Sequence, residues 1–150
     1  MTNLLDQLRA GVSTDSAGET RRLGAGLAEL LPADTVLALH GDLGAGKTTL
    51  VQGLASGLGI DGPVTSPTFT LVRLYPANTG SKSGRMLAHL DAYRLVSTAQ
   101  AEALLLHEFL VSPWCLAVEW PENVSSWLPG NAWHLDLGID AAGRHTLRLR

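Results

Sequence analysis

The sequence predicts an α/β fold, a three-layer sandwich around a central mixed, partly parallel sheet that ends in antiparallel C-terminal strands. Three observations predict it. The apolar run "TVLALH" (Thr35–His40) leads directly into the glycine-rich "GDLGAGKTT" (Gly41–Thr49), after which the apolar spacing turns helical. Two further short runs, "RMLAHLD" (Arg85–Asp91) and "CLAVE" (Cys115–Glu119), are nearly continuously apolar, as strands covered on both faces are. "WHLDLGI" and "HTLRLR" instead alternate apolar with polar residues, and the tight turn "DAAG" joins them as half-exposed antiparallel strands.

The elements follow in order. Ser16 stands three residues before Glu19, a capping-box spacing, and Leu23, Leu27 and Leu30 continue as an amphipathic helix that stops before Pro32. Thr35–His40 is the first strand. Leu50, Leu54 and Leu58 recur every four residues behind it, and Gly59 is placed to end that helix. "FTLVRLY" (Phe69–Tyr75) and Arg85–Asp91 read as two strands joined by the polar "PANTGSKSG", an exposed hairpin connection. Ser97 and Gln100 repeat the capping-box spacing, so "STAQAEALLLHEFL" reads as one helix. With 150 residues, no repeats and no linker, residues 1–150 are expected to form one domain.

Composition narrows the function classes. A net charge of −3 and the lack of a basic stripe argue against direct binding to DNA or tRNA by the chain alone. No run approaches the roughly 18–20 apolar residues that span a bilayer, and the N-terminus lacks the pattern of a signal peptide. A lone cysteine, Cys115, sits in an apolar run and fits a buried thiol in a reducing compartment. A cytoplasmic protein without membrane contact is expected.

The chemistry centres on Gly41-Asp42-Leu43-Gly44-Ala45-Gly46-Lys47-Thr48, which satisfies G-x-x-x-x-G-K-[ST] at every fixed position, with Thr49 following. Glycines let the backbone curl so that successive N–H groups face an anion, and the next helix adds its N-terminal dipole. Lys47 is expected on the β- and γ-phosphates and Thr48 on Mg²⁺. A chance match in a chain of this length arises on the order of half a per cent of the time. The match also follows a strand and opens a helix, so a bound nucleotide on a P-loop NTPase-like fold is expected.

Such a site needs an acid, and Asp91 and Glu119 each end a predicted strand. A helix cap or surface residue is the plainer role for an acid at a strand end, but the phosphate loop reverses that preference for Glu119. Asp91 stays balanced between the two roles. His89 shares the sheet face of Asp91 and serves equally well as a structural histidine. "GPVTSPTFT" (Gly62–Thr70) has the hydroxyls and prolines of a switch, while an ordinary helix-to-strand connection explains it slightly better.

Taken together, "GDLGAGKTTL", "VTSPTFTLV", "HLDAYRL" and "VEWPE" resemble the TsaE (formerly YjeE) family, in its order and approximate spacing, from about Ser16 to Arg144. The resemblance implies a Mg²⁺-dependent, slowly hydrolysing ATPase subunit. It would be required for threonylcarbamoyladenosine at position 37 of tRNAs reading ANN codons. The implied partners are TsaB and TsaD, with tRNA met indirectly through that complex. Carried over by position, Gly41 to Thr49 grips phosphate, Lys47, Asp91 and Glu119 are catalytic, and Thr48 and Glu119 hold the metal. Ser66, Pro67, Thr68 and Phe69 correspond to a switch-like loop, and Trp120 lies beside the site. Ser16 and Thr20 approach the nucleotide from the N-terminal segment, and Gly143-Arg144 matches a pair near it. Ala92 stands where the family commonly has leucine.

Two readings compete. A small-molecule or nucleoside kinase would use the same loop, but the chain offers no clustered arginine lid. A nucleotide-dependent binding switch without significant catalysis is the other, and no N-K-x-D motif makes it guanine-specific.

Overall fold

The computed structural model describes residues 3–60, 63–65, 67, 71–76 and 84–150. Its centre is one mixed sheet of seven strands: β1 (Val12–Thr14), β2 (Thr35–His40), β3 (Val72–Tyr75), β4 (Met86–Asp91), β5 (Trp114–Glu119), β6 (Trp133–Ile139) and β7 (His145–Leu149). Their order is β1-β7-β6-β2-β5-β4-β3. The inner strands β4, β5, β2 and β6 run parallel, while β3, β7 and β1 add antiparallel edges. The expected mixed sheet and antiparallel C-terminal hairpin are both present.

Strands β2, β4 and β5 each separate two apolar clusters by their period of two. Leu37, Leu39, Leu87, Cys115 and Ala117 point to one face, where they meet helices α1 (Leu4–Ala10), α2 (Ala17–Leu30) and α3 (Lys47–Gly57). Val36, Ala88, Leu90, Leu116 and Val118 point to the other, against α4 (Thr98–Ala103) and the short 3-10 turns after it. Burial on both faces explains why β2, β4 and β5 are nearly continuously apolar until their carboxyl ends, His89 apart.

The helix signals act as spelled. Ser16 Oγ accepts the Glu19 N–H, and Glu19 reaches back to the N–H of Asp15, one residue before the cap. Helix α3 ends in a Schellman turn: the Gly59 N–H donates to Ser56 O, the Ile60 N–H donates to Ala55 O, and Gly59 has φ +78°. Helices α2 and α3 pack backbone to backbone. A Cβ on Gly53 would collide with the Arg21 carbonyl oxygen, and one on Gly24 would lie 2.8 Å from Leu54 N.

Three departures stand out. Residues before Ser16, unassigned from sequence, form α1 and the edge strand β1; a seven-residue helix persists because Leu8 is buried in the first cluster. The predicted strand Phe69–Tyr75 is shorter, Val72–Tyr75, with Phe69 and Thr70 outside the described residues. The predicted helix 97–110 keeps its Ser97 cap but ends at Ala103. There the chain turns through a left-handed Leu105 (φ 52°), which leaves Leu105 outside and delivers Leu106 to the second cluster. Burial of Leu106 overrides local helix preference. Most of the predicted 76–84 connection also lies outside the described residues. Among the described residues, no helix is long and apolar enough to cross a membrane.

Candidate functional site

The carboxyl ends of β2, β4 and β5 open into a cleft of about 570 Å³. Open α/β sheets collect ligands at this end. Strand β2 runs into the Gly41–Gly46 loop, and α3 begins at Lys47, so the loop backbone and a helix N-terminus face the same space. Gly44 and Gly46 have φ +84° and +101°, in the left-handed region that side chains disfavour. This arrangement can cradle an anion.

Lys47 is only 5% exposed although it is charged. Its Nζ donates to the Gly41 carbonyl oxygen at 2.6 Å and lies 3.9 Å over the Trp120 ring. Burial pushes its ammonium below the usual lysine range, opposed by Glu119 and Asp91. Those acids end adjacent strands, and the parallel register sets Asp91 beside Glu119. Both alternate with cluster residues onto the face that carries α3, and both are buried. Asp91 Oδ1 accepts the Tyr93 N–H at 3.0 Å, and Glu119 Oε2 lies 2.5 Å from His89 Nε2.

Thr48, Asp91 and Glu119 thus bring oxygen donors to one cleft. Two buried carboxylates against one buried ammonium leave negative charge that a cation would offset. Oxygen donors suit Mg²⁺. Among the described residues, no group of three His, Cys, Asp or Glu could hold a metal alone. Such a set fits a cation that shares its coordination with phosphates and water, and Thr48 and Glu119 are the residues that could hold it.

Of the sequence-predicted residues, Leu43, Gly44, Gly46, Lys47, Thr48, Thr49, Asp91, Glu119 and Trp120 line the cleft. Gly41, Asp42 and Ala45 shape its loop: Lys47 bonds to Gly41, and Asp42 O accepts the Ala45 N–H. Ser16 and Thr20 are not among the lining residues. Ser16 caps α2, and the buried Thr20 hydroxyl is 2.7 Å from the Thr14 hydroxyl. Arg144 also lies outside the lining, in the β6–β7 turn, 3.4 Å from Asp140. Pro67 is buried, and Ser66, Thr68 and Phe69 lie outside the described residues.

Three lining residues escaped the sequence reading, His145, Tyr93 and Arg94. His145 Nδ1 sits 3.1 Å from Ala45 O, so β7 braces the loop from a hundred residues away. No local signal marks it. Tyr93 and Arg94 had one, since they stand two and three residues after Asp91 in "HLDAYRL"; the Tyr93 ring lies tilted against Trp120, with centroids 5.1 Å apart.

The family model described as "Threonylcarbamoyl adenosine biosynthesis protein TsaE" matches residues 14–146. The chain belongs to the TsaE family. Among curated TsaE relatives, each described as a tRNA threonylcarbamoyladenosine biosynthesis protein, the Treponema pallidum one is 38% identical over 133 residues, covering 88% of this chain and 93% of the relative. Those of Synechocystis sp. and Streptomyces coelicolor are 46% and 45% identical, over 70% and 69% of this chain. These matches span 66% and 68% of the relatives' own lengths, about two thirds. The crystal structure of Bacillus subtilus YdiB superposes with a TM-score of 0.73 at 29% identity, covering 93% of this chain and 82% of that one. The matched TsaE region holds every predicted site residue, from Ser16 to Arg144.

Proposed function

We propose that the chain is a P-loop NTPase of the TsaE family that binds ATP or ADP with Mg²⁺ and hydrolyses ATP slowly. It would act in the cytoplasm, where hydrolysis supports formation of threonylcarbamoyladenosine at position 37 of tRNAs reading ANN codons. TsaB and TsaD are its partners, and tRNA is met through them. The observation that carries this reading is the meeting of Lys47, at the first turn of α3, with buried Asp91 and Glu119 in one cleft.

The roles follow from position. Backbone N–H groups of the glycine loop bind the phosphates, and Lys47 exchanges its Gly41 and Trp120 contacts for a phosphate oxygen. Thr48 and Glu119 hold the cation, which when bound supplies charge neutralisation at the phosphates. Asp91, beside Glu119, would orient a water at the phosphates.

Mg²⁺-dependent ATP hydrolysis by the full chain, alone and with a TsaB–TsaD pair, tests the reading. We expect the pair to stimulate turnover and Lys47→Ala to lower the stimulated rate by about 10²-fold or more. A pair that neither binds the chain nor changes its rate would overturn the assembly-coupled function.

A further inference from the structure

We propose that His89 is a positioning residue. It holds one oxygen of Glu119, so that the other is presented in a fixed orientation to a divalent cation bound with nucleotide. This rests on the nucleotide reading above.

His89 lies on β4, two residues before Asp91 and on the same sheet face, and is 0% exposed. Its Nε2 is 2.5 Å from Glu119 Oε2 across the β4–β5 pairing, and with Glu119 ionised that nitrogen carries the proton and donates. Glu119 Oε1 has no hydrogen-bond partner among the described residues, in a side chain that lines the cleft. Asp91 is restrained in the same manner, with Oδ1 held by the Tyr93 N–H.

The pair is poorly explained as core. Leu87 and Ala117, its neighbours on that face, are apolar and fully buried. A buried ionic pair is often matched or bettered in stability by apolar residues of similar volume. Among the described residues, His89 Nδ1 also has no partner, a further penalty on keeping histidine there. What the histidine supplies is direction. A carboxylate with both oxygens free can rotate or chelate, whereas Mg²⁺ demands near-ideal octahedral geometry. Groups that orient metal ligands in this way typically govern metal affinity or activity by 10–100-fold.

The test is calorimetric titration of the full chain with ADP, with and without MgCl₂, for wild type, His89→Gln and His89→Leu. Glutamine carries an N–H donor the same number of bonds from the backbone as Nε2; leucine carries none. We expect His89→Leu to lose about 10–100-fold of ADP affinity in Mg²⁺ while its metal-free affinity is unchanged. His89→Gln should recover most of that loss. In hydrolysis with Mg²⁺, KM for ATP should rise in the leucine variant by a similar factor, because KM tracks binding when turnover is slow, and His89→Gln should restore it. Unchanged Mg²⁺-dependent binding in His89→Leu would overturn the proposal, as would an equal loss with and without metal, the mark of a merely structural role. Should the leucine variant fail to fold, His89→Asn, whose amide stops one bond short of Glu119, carries the same comparison. Wild-type protein that binds no ADP, or binds it equally with and without Mg²⁺, would overturn the nucleotide reading itself, and this proposal with it.

Discussion

Lys47 and Cys115 show how far one side chain's chemistry depends on where its strand or helix delivers it. Both are buried, but the ammonium has a carbonyl, an indole face and two nearby carboxylates, whereas the thiol sits within the first apolar cluster. Burial pushes the Cys115 thiol up to about 12, so the thiolate is scarce at any ordinary pH. We expect no reaction of the native protein with a thiol-specific chromogenic disulfide at pH 8, and one thiol per chain in denaturant. Because the raised value belongs to the folded state, the native thiolate remains a minute fraction at pH 9, so native modification should stay very slow and its rate should still be climbing steeply there. Modification of unfolded chain should be far faster throughout and should level off above about pH 9, where an ordinary thiol is already mostly ionised. A native reaction that follows the unfolded pH profile would contradict the burial.

At the scale of elements, the contact between α2 and α3 carries the glycine-rich loop. Helix α3 begins at the loop's last residues, so its position against α2 sets where Lys47 stands. The close approach requires glycine: at Gly53 a methyl group would meet the Arg21 backbone, which cannot move as a side-chain tip could. Although alanine is the better helix former, Gly53→Ala should destabilise the protein by about 1–3 kcal/mol through overpacking, measured as a lower urea midpoint at constant slope. An increase in stability would mean that the helices are not in contact at this point. Element signals were legible where they are local. Ser16 and Gly59 cap and end their helices as spelled, because a cap involves neighbours within a few residues. The end of α4 was not legible. Nothing near Leu105 encodes a break; the second cluster's demand for Leu106 does.

For the whole molecule, the sheet order gathers at one end groups far apart in the chain: the loop after β2, Asp91 of β4, Glu119 of β5 and His145 of β7. A ligand held by all of them ties several elements together and stabilises the fold by mass action. ADP with Mg²⁺ at 100 times its dissociation constant should therefore add about 2.7 kcal/mol, read as a raised midpoint of thermal unfolding. The rise should vanish in Lys47→Ala. A rise that persists in that variant would place the nucleotide elsewhere.

The residue pattern alone determined the glycine-rich loop, its strand-then-helix setting, the two acids at strand ends and the mixed character of the sheet. Each of these is written in contiguous residues, through glycine conformation, period-two burial and local capping. Tertiary structure alone decided that Thr20 turns to Thr14, that Arg144 stays in its hairpin turn and that His145 braces Ala45. It alone joined His89 to Glu119 across two strands. The physical reason is that these contacts depend on strand order and register. Those are set by how the sheet's two faces fill with side chains from the whole chain, and no local stretch carries that information.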